Sequence, residues 1–180
     1  RISTQIEADS LFLLKAMTDA AFLNKNDFNN ATALGMYLPN SYEFFWNTSA
    51  ETFRDRMLKE YNSFWTDARK AKAQKINLSP NEVITLAFIM HEESKQADPT
   101  LKFAAYQLPQ YKNTIIRRVL NIHKEINSPY NTYKNTGLPP GLIAMPDLSA
   151  IKAVLNPEKH SYLYFAADAK RIGYHKFAKT

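Results

Sequence analysis

Cysteine is absent from this 180-residue chain, which excludes disulfides and thiol catalysis. The absence suits a reducing cytoplasm and also a bacterial extracytoplasmic space, so it does not choose a compartment. Glycine occurs only four times, and no glycine-rich phosphate loop, internal repeat or low-complexity tract is present. The longest apolar runs, LFLL at 11–14 and LAFIM at 86–90, fall far short of the roughly 20 residues a membrane span needs. Histidine is also scarce, at four residues. The stretch HEES at 91–94 begins like the zinc-protease motif H-E-x-x-H, but Lys95 stands where the second imidazole would have to be. No other cluster offers soft metal ligands, so neither a metal nor another cofactor is expected.

What is present is apolar and basic. A content of 45% hydrophobic and 13% aromatic residues can bury one sizeable core. The net charge of +6 suits an anionic partner: nucleic acid, a phospholipid surface or a carboxylate-rich bacterial wall. For nucleic acid the only support is RRVLNIHK at 117–124, which reads better as a solvated helix, and no nucleic-acid partner is expected. The chain opens on Arg1 inside an amphipathic pattern, as expected of a piece of a longer polypeptide whose targeting segment lies elsewhere.

Apolar periodicity organises the rest. Ile2, Ile6, Leu13, Leu14 and Met17 fit a helix, followed by an Asn-rich loop at 24–30. SYEFFW at 41–46 is dense in aromatics and predicts a short strand. From a cap at Thr48 or Ser49, Phe53, Met57, Tyr61, Phe64, Trp65 and Ala68 trace one face of a single long helix reaching about Ala73, with a solvated basic tail. Ser79, Pro80 and Glu82 form a capping-box start for a helix over 80–95, whose VITLAFIM segment is apolar nearly all round. Asp147 is placed to cap a short helix at 148–155, and 161–168 and 173–179 read as two strands of a hairpin. The predicted fold is α+β: a helical catalytic core around a central buried helix, with a small antiparallel sheet built from 41–46, 161–168 and 173–179. Residues 1–78 form a helical and strand subdomain leading into a core at 79–180.

Two stretches stand out chemically. At 100° per residue, Glu93 projects from the sector of Leu86, Ile89 and Met90 at the helix's C-terminal end. Partial desolvation, the negative end of the helix dipole and adjacent Glu92 all disfavour its ionised form, which suits a general acid. The plainer alternative is that both glutamates are solvated at a fraying helix end. The second stretch, residues 128–146, holds four prolines, two glycines, two tyrosines and two asparagines without helical or strand period. Tyr130, Asn131, Tyr133 and Asn135 offer rings and amides of the kind that hold sugars; the alternative is a loop that only covers core. His160 and His175 lie on or beside the predicted hairpin, where a structural role and a site role both stand open.

The segments Y-N-T-Y at 130–133, G-L-P-P-G-L-I at 137–143, Y-L-Y-F at 162–165 and H-K-F at 175–177 resemble, in order, the C-terminal signature of the endolytic murein transglycosylases, the YceG-like or MltG family. Upstream, ITLAFIMHEES resembles the family's L-A-S-I-V-E-K-E-T, GMYLPNSYEF resembles its L-F-P-D-T-Y segment, and QADPT at 96–100 resembles L-Q-x-D-P-T. The resemblance covers essentially the whole chain. It implies that Glu93 is the catalytic glutamate and that Tyr130, Asn131, Tyr133, Asp98, Thr100, Tyr162 and His175 bind substrate. Two departures are visible. His91 stands where the family has an earlier glutamate, and some twenty-odd family residues between the glutamate and D-P-T have no counterpart, since Lys95 runs straight into Gln96. A true deletion would remove a helix beside the catalytic one, so the expectation is a segment absent from this sequence rather than lost from the protein. The family's membrane anchor and LysM-like region have no counterpart here either.

The implied reaction is cleavage of the MurNAc-β-1,4-GlcNAc bond of peptidoglycan with the substrate's own C6 hydroxyl as nucleophile, leaving 1,6-anhydro-MurNAc ends. The residues fit that chemistry. Hydrolytic glycosidases flank the bond with two carboxylates about 5 to 9.5 Å apart. Adjacent Glu92 and Glu93 diverge by about 100° around a helix and cannot straddle a sugar. An intramolecular nucleophile needs only one acid. The expected partners are peptidoglycan strands and peptidoglycan synthases, at the extracytoplasmic face of a bacterial inner membrane, held there by the anchor this chain does not contain. The rival reading is a non-catalytic peptidoglycan-binding or scaffold domain of the wall-synthesis machinery.

Overall fold

The computed structural model describes residues 2–93, 119–168, 170 and 174–179, with Glu93, Phe165, Ala167 and His175 described by backbone alone. A short 3-10 turn at Ile2–Thr4 precedes α1 (Ser10–Met17) and α2 (Ala20–Lys25), and a second 3-10 turn spans Ala33–Met36. Helices α3 (Ala50–Phe64), α4 (Asp67–Lys75) and α5 (Pro80–Glu93) follow. Beyond the undescribed residues come α6 (Asn121–Lys124), α7 (Leu148–Val154) and strands β1 (Tyr164–Ala167) and β2 (His175–Ala178). The described chain is therefore mostly helical.

Local chemistry sets most boundaries. Asp9 and Asp19 accept from the first amides of α1 and α2, Ser49 caps α3, and Thr66 caps α4. The first predicted helix is accordingly broken, because the Asp9 cap starts a new helix at Ser10. The predicted long helix is broken too. Trp65 turns into the core, only 2% exposed, and Arg69 donates to the Phe64 carbonyl, so Thr66 can begin α4 on a new axis. Residues 41–46 carry no strand. Phe44 packs against Phe53 with centroids 5.1 Å apart, the Tyr42 hydroxyl donates to the Leu38 carbonyl, and Phe45 and Trp46 lie exposed. With no neighbouring strand among the described residues to receive it, that aromatic run serves as a loop. The strands described are β1 and β2, paired antiparallel with Tyr164 opposite Ala178 and Ala167 opposite His175.

Helix α5 lies at the centre of the core. Val83, Ile84, Ala87 and Phe88 are essentially inaccessible, and α5 packs on α7, on α4 and on the Ala33–Met36 turn. Its start is the predicted capping box: Glu82 accepts from the Ser79 amide at 2.7 Å, and the Glu82 amide donates to Ser79 Oγ at 3.3 Å. That backbone hydrogen bond, aided by the Ser79 side chain, holds the Glu82 carboxyl below its ordinary value. A depressed carboxylate contributes stability above its unfolded pKa and loses it as pH falls through the folded one. Glu82→Gln is expected to cost about 0.5 kcal/mol at about pH 7, a small figure because the carboxylate is exposed and screened. The difference from wild type should shrink as pH falls from about 7 toward about 3, while the carboxyl takes up its proton first in the unfolded and then in the folded state. Denaturant titrations at both pH values check this; an equal cost at each would remove the charge from the effect.

Residues 128–146 form an ordered loop bound to the core. Asn131 is fully buried and closes it: its side-chain amide donates to the carbonyls of Lys124 at 2.8 Å and Ile126 at 2.7 Å, and its side-chain oxygen accepts from the Tyr133 amide at 3.0 Å. Gly141 is pressed so tightly onto the Ala31 carbonyl that a Cβ there would overlap it.

Candidate functional site

Helix α5 presents two stripes with different surroundings. Positions 84, 87, 88 and 91 run along the buried side, where Ile84, Ala87 and Phe88 pack in the core and the His91 side chain is 14% exposed. Positions 86, 90 and 93 recur at i, i+4 and i+7 on the neighbouring side. Leu86 and Met90 of that stripe line an open groove of about 730 Å³. Its other walls come from Leu78 after α4, from Val154 at the end of α7, from His160 and Tyr162 just before β1 and from Phe177 of β2. The aromatic wall is continuous: Tyr162 and Phe177 ring centroids lie 5.7 Å apart, and those of His160 and Tyr162 lie 5.5 Å apart. Met90, Tyr162 and Phe177 are about half exposed, so flat apolar faces are open to a ligand.

The end of α5 is polar. His91 Nδ1 lies 3.7 Å from Asp147 Oδ2, and Nε2 lies 4.0 Å from Glu92 Oε1. These are ion-pair distances rather than direct hydrogen bonds. Asp147 sits before α7 as predicted, yet its side chain makes no capping bond to that helix. No group of three or more metal-ligating side chains occurs among the described residues.

The predicted site residues separate into groups. Tyr162 lines the groove. Tyr130 and Asn131 are buried at the base of the loop, where Asn131 spends its amide on backbone carbonyls and burial pushes the Tyr130 phenol up. Tyr133 is exposed, with Lys124 Nζ 4.8 Å from its ring centroid. None of these three loop residues is among those lining the groove. His175 belongs to β2 and Glu93 ends α5, each described by backbone. Asp98 and Thr100 lie outside the described residues. Sequence reasoning missed Met90 and Phe177 as groove residues and Asp147 as a partner of His91. For Phe177, the H-K-F stretch and the hairpin were visible, but the register that brings its ring to Tyr162 was not. A second cavity, of about 530 Å³, is walled by Tyr37, Phe53, Met57 and other apolar side chains, and Glu43 is the one carboxylate lining it. Burial pushes the Tyr37 phenol well above its ordinary value, which suits packing rather than acid–base work.

The curated relatives and solved structures agree in kind. The chain is 34% identical over 169 residues to an endolytic murein transglycosylase of Bacillus subtilis, covering 81% of this chain and 44% of that protein. It is 30% identical over 159 residues to an endolytic murein transglycosylase of Streptococcus pneumoniae strain R6, covering 74% of this chain and 28% of that one. The chain thus spans less than half the length of these relatives. A crystal structure of a YceG-like protein from Listeria monocytogenes superposes with a TM-score of 0.68 at 26% identity, covering 93% of this chain and 63% of that one. The profile of the YceG-like family matches residues 2–98 and 94–180, and with nearly every residue matched, the chain belongs to that family.

Proposed function

We propose that this chain is the catalytic part of an endolytic peptidoglycan transglycosylase, cleaving the MurNAc-β-1,4-GlcNAc bond within a glycan strand and leaving a 1,6-anhydro-MurNAc end. Glu93 donates a proton to the departing glycosidic oxygen; as carboxylate, it then takes the C6-hydroxyl proton while that oxygen closes onto C1. The observation that carries the reading is the shared stripe of α5: position 93 lies about two turns beyond Leu86 and one beyond Met90, which line an aromatic-walled groove. The names of the Bacillus and Streptococcus relatives support the substrate class. An apolar groove with half-exposed rings suits sugar faces, which stack their C–H surfaces on aromatics and leave their hydroxyls to solvent and polar rims.

In this reading Tyr162 stacks on a sugar, His175, Asp98 and Thr100 remain substrate-binding candidates, and of Tyr130, Asn131 and Tyr133 it is Tyr133 that lies exposed to a glycan. Tyr130 and Asn131 shape the loop from beneath. Residues 1–78 lead into a catalytic core at 79–180. We place the protein at the extracytoplasmic face of a bacterial inner membrane, with peptidoglycan synthases as candidate partners; no helix among the described residues is long and apolar enough to cross a membrane. About 23 positions of the Bacillus alignment have no residue of this sequence, and we place that gap near 95/96. Two facts support that: the family match is broken over 94–98, and the 169-position alignment with the Bacillus protein covers 81% of 180 residues, about 146.

Incubating purified wall glycan with the protein and searching the digest by mass for anhydro-muropeptides tests the reaction. Reducing ends without anhydro products would mean hydrolysis, and no cleavage would favour the scaffold reading. Tyr162→Ala is expected to raise KM for glycan about tenfold, the loss of one stacking platform worth about 1.4 kcal/mol, with little change in kcat. Initial rates against glycan concentration check this; an unchanged KM would remove the hairpin wall from substrate binding.

A further inference from the structure

Glu93 closes the described part of α5. A proton donor there must be held within about 0.5 Å of its working position, which requires contacts between its turn and neighbouring elements. His91, two residues before Glu93 and on the buried stripe, reaches from this turn to another element.

Both imidazole nitrogens of His91 face carboxylates: Nδ1 is 3.7 Å from Asp147 Oδ2 and Nε2 is 4.0 Å from Glu92 Oε1. His91 and Glu92 side chains are each 14% exposed, so this contact is largely shielded from water on their side. Asp147 adds an independent sign. Asp9, Asp19, Ser49 and Thr66 all spend their side-chain oxygens capping the helices they precede. Asp147 occupies the same position before α7 and makes no such bond. A cap forgone costs about 1 kcal/mol, and the carboxylate that forgoes it lies within ion-pair distance of His91. Helix α7 itself packs on α5, and its Ile151 and Val154 are buried in the core.

We infer that His91 and Asp147 form a positioning pair that ties the last turn of α5 to the start of α7, fixing the backbone that carries Glu93. The inference rests on the transglycosylase reading of Glu93. The pair touches no reacting atom; it acts through the helix end. Its loss should therefore lower kcat and leave KM for glycan unchanged, because the aromatic groove wall is built from other elements.

The test is a double-mutant cycle on the whole chain, reading anhydro-muropeptide formation by mass, with Glu93→Gln as the control and a thermal melt of each variant. Asp147→Ala and His91→Ala are each expected to lower kcat about tenfold at unchanged KM, and the double variant no more than either alone, as for two halves of one contact. The Asp147 side chain is 64% exposed, so its truncation should leave the melting midpoint within a few degrees of wild type. The exchange variant, His91→Asp with Asp147→His, should recover part of the lost kcat. Wild-type kcat in Asp147→Ala, additive losses in the double variant, or a kcat loss that simply follows a lowered melting midpoint would each overturn the inference. If wild type itself yields no anhydro product, the transglycosylase reading fails and takes the inference with it. If wild type is active, Glu93→Gln is not, and Asp147→Ala is unchanged, the inference alone fails.

Discussion

Glu93→Gln is expected to lower the formation of anhydro-ended glycan by about 10²- to 10⁴-fold, the range that a positioned proton donor and acceptor contributes. Glutamine keeps the size of the side chain and loses the proton, so binding to the aromatic groove should survive while turnover does not. One group is asked to act first as acid and then as base, and its loss removes both steps. Glu92 cannot take over. It is one residue away, hence about 100° around the helix, and its carboxylate lies 4.0 Å from His91 with a side chain only 14% exposed. Single-turnover digestion of purified glycan by both proteins, followed by mass analysis, measures the ratio. Equal product would remove Glu93 from its role. A circular dichroism melt superimposable on wild type would show that the effect is chemical.

Asn131→Ala is expected to destabilise the fold by about 3 kcal/mol or more. The residue is fully buried, and three backbone groups depend on it: the carbonyls of Lys124 and Ile126 and the amide of Tyr133. Each buried polar group left without a partner costs about 1 to 3 kcal/mol, and water has no route to replace a side chain at zero exposure. At about 2 to 4 °C per kcal/mol for a chain of this size, the melting midpoint should fall by about 10 °C. The same variant distinguishes two roles for the Y-N-T-Y stretch. A sugar ligand at Asn131 would give a weakened KM on an unchanged melt; a keystone of the loop gives a lowered melt. Differential scanning calorimetry together with glycan kinetics separates them.

Both predictions turn on the same contrast between residue type and residue position. The amide of Asn131 and the phenol of Tyr130 have the chemistry of sugar ligands, and in one dimension nothing marks them as buried. Their burial follows from the docking of 128–146 onto the core, where Gly141 meets Ala31 and Asn131 reaches back to the end of α6. Tyr162 reads no differently in the chain, yet β1 and β2 leave it facing a groove. The break at Trp65 was illegible for a related reason. Tyr61, Phe64, Trp65 and Ala68 keep a helical period straight through it, and only the fit of the indole into the core, with Thr66 free to cap, stops one helix and starts another. The 41–46 run failed differently, because strand propensity needs a partner strand, and among the described residues β1 and β2 pair with each other instead.

What one dimension determined is what short-range chemistry controls: the Ser79–Glu82 box that opens α5, the Ser49 cap of α3, the apolar middle of α5 that makes it central, and the family signature distributed from end to end. These depend on neighbours within about one helical turn, so they are written in the order of residues. The groove wall and the meeting of His91 with Asp147 join residues tens of positions apart, and only the packing of α5, α7 and the hairpin decides which of many similar side chains lie side by side.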